Sequence, residues 1–217
     1  MNIDIIDLRK YNTKLLPEEV KVTTMTVFLK FNCLINSDNI LKKLKIDDEF
    51  ISIENKITDK MLTSEIIYKI NDKQHRVIIN FKHNITKVLG FNNLDDIINL
   101  VYKLANKLVD SNLIENDIDT IKLLDFKIPL INSIYKSNYE FSKSNLLELS
   151  NNLSKQKNFR IIGNPNINLV FKARLDETFK EIHVMIPSNG NIAITNATSI
   201  NDIKYVYEFI KNLIVLS

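Results

Sequence analysis

Apolar residues recur at helical spacing in two long stretches of the chain. Leu94, Ile97, Val101, Leu104 and Leu108 form one stripe; Ile200, Ile203, Tyr207, Ile210 and Ile214 form a slightly less regular second. Both predict long amphipathic helices. Asn93 and Ser199 precede them as N-cap residues, with Asp96 and Asp202 three positions on, where a carboxylate suits a helix N-terminus. Elsewhere the pattern shortens to β-rich runs. Residues 21–31 and 127–137 are apolar on both faces, and each is followed by a short helix. One helix is expected to begin near Ser37 and carry Ile40, Leu41 and Leu44; the other begins near Ser142 and carries Leu146, Leu147 and Leu153. Three strands then follow in each half, at 65–70, 75–81 and 85–90, and at 168–174, 181–186 and 191–196. The last hairpins turn at His83-Asn84 and Asn189-Gly190, residues that tolerate positive φ.

The two halves are copies of one unit. Shifted by 106 residues, Val20-Lys21-Val22 falls on Phe126-Lys127-Ile128, and Lys30 falls on Lys136. At the same offset Asn32 meets Asn138, Asn39-Ile40-Leu41 meets Asn145-Leu146-Leu147, and Leu94-Asp95-Asp96-Ile97 meets Ile200-Asn201-Asp202-Ile203. Between these stretches the register slips to 103, where Ile66-Ile67-Tyr68-Lys69 matches Leu169-Val170-Phe171-Lys172, implying a hairpin turn three residues longer in the second copy. The expected organisation is an N-terminal extension (1–16), a first repeat (17–109), a polar linker (110–121) and a second repeat (122–217).

Composition narrows the function classes. With 45% hydrophobic and 25% charged residues, the 217-residue chain reads as a globular protein able to bury a core. The 34 Ile, 29 Asn and 25 Lys against 4 Ala, 4 Arg and 3 Gly follow A- and T-rich codons, so this skew reads as genome bias. Cys33 is the only cysteine, which excludes an intrachain disulfide and suits a reducing, intracellular setting. No apolar run approaches the roughly 20 residues that span a bilayer, and the first residues resemble no signal or transit peptide. His75, His83 and His183 show no metal-ligand spacing, three glycines make no phosphate-cradling loop, and Asp95-Asp96 fits a helix first turn. No nucleophile is accompanied by a base, so neither an enzyme nor a cofactor is expected. A net charge of +3 is a weak sign of a nucleic-acid partner.

Four segments carry a resemblance. Val22-Thr-Thr-Met-Thr-Val27, Leu124-Asp-Phe-Lys-Ile128, Phe81-Lys-His-Asn-Ile-Thr-Lys-Val-Leu-Gly90 and Pro187-Ser-Asn-Gly-Asn-Ile-Ala-Ile-Thr-Asn196 occur in the order and spacing of the TATA-box-binding protein family. The chain resembles in particular the divergent TATA-binding-like proteins of large DNA viruses and protists. The resemblance implies an α+β fold: two five-stranded halves in one curved antiparallel sheet, a saddle with four helices on its convex side. It implies a DNA-binding transcription initiation factor that bends A/T-rich promoter DNA through the minor groove, with apolar wedges at base steps. The alternative is a degenerate saddle serving as a protein interaction module without tight DNA binding.

Carried onto this sequence, the resemblance places wedges at Phe81, Ile167 and Pro187, while Ser64 departs from the pattern at a fourth wedge position. Base or groove contacts fall at Thr24, Thr26, Phe28 and Leu89, and at Leu130, Asn132, Ile134, Ala193 and Thr195. Phosphate contacts, which fix position without reading sequence, fall at Lys30, Lys69, Lys82, Lys87, Lys136, Lys172 and Arg174. Both asparagines that the family uses in base contacts are missing from their own positions, and minor-groove readout mostly separates A·T from G·C pairs, so only a broad A/T preference is expected. The implied protein partners are a divergent general transcription factor or polymerase subunits. Asn158-Phe-Arg-Ile-Ile-Gly-Asn-Pro-Asn166 stands where the family carries acidic residues for its usual B-type factor. A monomer that is an internal pseudo-dimer is expected, in the nucleus, or in a cytoplasmic viral factory or virion.

Overall fold

The structure, a computed structural model, describes residues 8–58, 61–164, 168–174 and 181–215. Its elements are β1 (Val20–Phe31), α1 (Ile40–Lys43), β2 (Phe50–Thr58), β3 (Met61–Ile70), β4 (Lys73–Asn80), β5 (Ile85–Phe91) and α2 (Leu94–Asp110). The same order follows again as β6 (Leu123–Lys136), α3 (Lys143–Ser154), β7 (Phe159–Ile161), β8 (Asn168–Arg174), β9 (Glu181–Pro187), β10 (Asn191–Ala197) and α4 (Ile200–Val215). The fold is α+β, and β1 and β5, β3 and β4, β8 and β9, and β9 and β10 pair antiparallel.

The chain divides into two compact units inside its longest strands. One unit holds Met25–Ile128, the other Arg9–Thr24 with Pro129–Ser217. Strand order in the first is β2-β3-β4-β5-β1-β6, and in the second β1-β6-β10-β9-β8-β7. Each unit thus closes its row of strands with a segment of the other repeat's first strand. In the first, Asn32 donates its backbone N–H to Lys122 O (2.9 Å); in the second, Lys136 N donates to Glu19 O (3.3 Å).

The helices form where the apolar stripes place them. Asn93 Oδ1 accepts from Asp96 N (2.8 Å), and Ser199 Oγ accepts from Asp202 N (3.1 Å), so each cap satisfies an N–H that the helix itself leaves open. Ile97, Val101, Leu104 and Leu108 are buried on α2, as are Ile200, Ile203, Tyr207, Ile210 and Ile214 on α4. Ser142 starts α3 with a capping box to Asn145. In the first unit the short helix shrinks to the single turn α1. Asn39 before it is left-handed (φ 59°), Ile40 and Leu44 are buried, and Leu41 is exposed. Leu147 also turns out to solvent, while Leu146, Leu149 and Leu153 face in.

Four strands, not the three expected from the pattern, follow each short helix. β2 escapes the pattern because Glu54, Asn55 and Lys56 interrupt it on an edge strand, and β7 because it has only three residues. The two-residue turn between β3 and β4 has both Asn71 and Asp72 at positive φ, the twist a tight hairpin requires. The longer turn expected in the second copy falls on residues 175–180, which lie outside the described residues. Residues 110–121 are less of a free linker than their composition suggests, since Leu113, Ile114 and Ile121 are buried. At the last turn of the second unit Gly190 is left-handed (φ 71°), and a Cβ there would stand 2.2 Å from Tyr139 O, so only glycine fits.

A candidate nucleic-acid interface on the open sheet faces

Strand alternation gives each sheet a covered and an open face. On β1, Met25, Val27, Leu29 and Phe31 are at most 1% exposed, so Thr24, Thr26, Phe28 and Lys30 take the opposite face. Register carries that face across the first unit in two rows. Phe28 stands opposite Lys87, Lys87 opposite Ile78, Ile78 opposite Glu65, and Glu65 opposite Glu54; the next row runs Thr26, Leu89, Arg76, Ile67, Ser52. In the second unit, Ile131, Ser133 and Tyr135 are buried, leaving Leu130, Asn132, Ile134 and Lys136 on the open side. Ile134 pairs with Ala193, Ala193 with Met185, and Met185 with Val170; the neighbouring row is Thr195, His183, Lys172, Arg160.

The open faces are therefore half apolar. Phe28 and Met185 are 38% and 39% exposed, large values for such side chains. Sequence reasoning named Phe28, Leu89, Ile134 and Ala193 but missed Ile67, Ile78, Val170 and Met185. They share the same alternation, which became readable only once the buried partners Ile66, Val77, Ile79 and Val184 showed which side was covered.

The cations divide into two groups. Lys69 pairs with Asp72 (3.0 Å) and Lys172 with Glu181 (2.5 Å). Glu65 binds both Arg76 and Lys56, and these two, Arg76 first, hold its carboxyl down at about 2. Lys30, Lys82, Lys87 and Lys136 have no acid partner among the described residues, and Lys87 Nζ lies 5.6 Å from the centre of the Phe28 ring. Arg174 keeps its backbone register opposite Glu181, but its side chain lies outside the described residues.

Polar groups in the first half of β1 and on β10 are already engaged. Asn132 Nδ2 donates to Thr24 Oγ1 (3.0 Å), its Oδ1 accepts from Asn196 N (3.4 Å), and its backbone carbonyl accepts from Thr23 Oγ1 (3.2 Å). Thr195 Oγ1 donates to His183 O (3.5 Å).

The wedge candidates lie at strand ends rather than in these rows. Phe81 opens the β4–β5 turn, half-buried, and lines an open cleft of about 840 Å³ with Leu34, Ile35, Lys43, Leu113 and Glu115. Pro187 ends β9 opposite Asn168 and is half-buried. Ile167 lies outside the described residues. Ser64, at the departing position, is fully buried on the covered face and donates to Asn55 Oδ1 (2.5 Å). Among the described residues, no group of three His, Cys, Asp or Glu side chains is placed to share a metal ion, and no helix is long and apolar enough to cross a membrane.

No family model matches the chain, and no curated protein matches it. Among solved structures the chain is similar to Methanococcus jannaschii TBP, with a TM-score of 0.62 over 93% of this chain and 100% of that one, at 16% identity. At that identity the likeness is one of fold, and the fold is TBP-like.

Proposed function

We propose that the protein is a DNA-binding transcription initiation factor that binds and bends A/T-rich promoter DNA through the minor groove. The open face of each repeat is the contact surface. The supporting observation is that face itself: Thr26, Phe28, Leu89 and Ile78 in one repeat, and Ile134, Ala193, Met185 and Thr195 in the other, stand uncovered in continuous register. An exposed apolar surface of this kind marks a binding site, and Lys30, Lys82, Lys87 and Lys136 supply positive charge beside it with no acid partner among the described residues. Phe81, Ile167 and Pro187 are the wedges of this reading, and Lys69, Lys172 and Arg174 further phosphate contacts. Leu130 and Asn132 complete the groove contacts of β6, with Asn132 positioning Thr24. The repeats are residues 17–109 and 122–217, and the partners beyond DNA are a divergent general factor or polymerase subunits. The protein works as a monomer inside the cell, in the nucleus or at a viral site of transcription, without catalysis of its own.

A mobility-shift and bending assay on A/T-rich and G/C-rich duplexes tests this reading. Preferential binding of the A/T-rich duplex with a bend is expected. Equal, feeble binding to both with no bend would remove the DNA function. It would leave the second reading, an interaction module, which the internally neutralised Glu65–Arg76–Lys56 cluster favours.

A further inference from the structure

The outer strands of the second unit gather cations that the sheet itself does not neutralise. Arg160 on β7 stands directly opposite Lys172 on β8, and Lys172 opposite His183 on β9. Like charges placed opposite each other across a strand pair destabilise a sheet. Lys157 joins Arg160, Lys172 and Glu181 around a cleft of about 250 Å³. Among the described residues one carboxylate serves this group: Glu181 takes a hydrogen bond from Lys172, and that bond, with the charges of Lys172 and Arg160, lowers its pKa. Lys157 and Arg160 are exposed, with no acid partner among the described residues.

The platform under them is packed against α4. Phe159, the neighbour of Arg160 on the covered side, stacks on Phe209 of α4 with ring centres 4.1 Å apart and meets the Phe171 ring edge-on at 5.8 Å. The chain beyond β7 is tied back, since Ile162 N and Gly163 N both donate to Val170 O (2.9 and 3.2 Å). The matching row of the first unit is Ser52, Ile67, Arg76 and Leu89, with neutral residues where Arg160 and Lys172 stand. Its one cation, Arg76, is held by Glu65 of the neighbouring row, which also takes Lys56 and faces Glu54, so cations and carboxylates balance.

We propose that Lys157, Arg160 and Lys172 form a phosphate-binding cluster that anchors DNA at the outer end of the second repeat, with no equivalent in the first, so that the protein grips its DNA unequally at the two ends. The inference rests on the DNA-binding function proposed above. Phosphate is favoured over an acidic protein because the cluster is continuous with the open face: the row Arg160, Lys172, His183, Thr195 runs inward in register onto the proposed groove-contacting strands.

The test is the salt dependence of binding to an A/T-rich duplex by the full chain, read with a hydroxyl-radical footprint. Each phosphate contact contributes about 0.9 to the slope of log K against log salt. Lys157→Gln/Arg160→Gln should therefore lower that slope by about 2, weaken binding roughly tenfold more at 50 mM than at 200 mM salt, and shorten the footprint at one end only. Lys56→Gln/Arg76→Gln, which removes cations already held by Glu65, should change the slope far less. An unchanged slope in the first variant while the wild-type chain binds overturns the cluster and leaves the DNA function standing. Footprints shortened equally at both ends also overturn it, as does loss of retention on immobilised polyglutamate with DNA binding intact, which assigns the cluster to an acidic protein. A wild-type chain that binds no duplex sinks both readings together.

Discussion

The two repeats share an element order and a covered face but differ at equivalent positions, and the differences fall outside the common core. In the row Ile66, Val77, Val88, Val27 of the first unit every side chain is apolar and fully buried. The equivalent row of the second is Phe171, Val184, Ile194, Ser133, in which only the last is polar, so strand register sets Ile66 against Phe171 and not against Leu169, its match in the sequence comparison. Beyond the core the copies diverge freely. His75 stands where the second repeat has Ile182, Phe81 near the position of Pro187, and Ser52 and Ile67 where the second repeat carries Arg160 and Lys172. Duplication fixes what both halves need to bury. Surface charge and turn residues answer to whatever each half meets outside.

Exchanging residues between the repeats tests how far they are interchangeable, and the largest effect is expected at the hairpin tips. If Phe81 is the wedge of the first repeat, Phe81→Ala should weaken binding to bent A/T-rich DNA tenfold or more. Its half-buried ring should contribute under about 2 kcal/mol to stability, measured by denaturant unfolding. A loss of 3–5 kcal/mol, the range for a core phenylalanine, would assign it to packing against Leu34 and Leu113 instead.

The next effect is on pH dependence. His75 is stacked on Phe91 at 3.8 Å, its Nδ1 is buried without a partner among the described residues, and burial lowers its pKa from the ordinary 6.5, with the Gly90 backbone pulling the other way. The unfolded chain thus takes up this proton more readily than the folded one. The native state loses stability as pH falls below about 6.5 and keeps it in full above. His75→Ile, which copies the second repeat, should flatten the change in thermal midpoint between pH 7 and 5. An unchanged slope would show that His75 accepts its proton without cost in the folded state.

The smallest effect runs the other way. Ser133 is 2% exposed and its hydroxyl has no partner among the described residues. An unsatisfied buried hydroxyl costs about 1–3 kcal/mol. Removing it in Ser133→Ala, a step toward Val27 of the first repeat, should raise stability by up to about 1 kcal/mol after the small cavity is allowed for. A fall in the unfolding midpoint would mean that the hydroxyl is satisfied in solution.

The sequence alone determined what depends on neighbours along the chain. The repeat, both long helices and their caps at Asn93 and Ser199 were legible because a 3.6-residue stripe and a cap are local properties. So were the three inner strands of each half and the parity of Thr26, Phe28, Ile134 and Ala193. What tertiary structure decided depends on partners far away in sequence. β2 became a strand only through its pairing with β3, and α1 became a single turn where α3 is a full helix. Ser64 was buried on the covered face, Asn132 was committed to Thr24 and Asn196, and Lys69 and Lys172 were paired with acids across their hairpins. Alternation says that two faces exist. Which face is covered, and which cations remain without a carboxylate, follows only when helices pack and strands take register, because burial and charge pairing are properties of the assembled sheet.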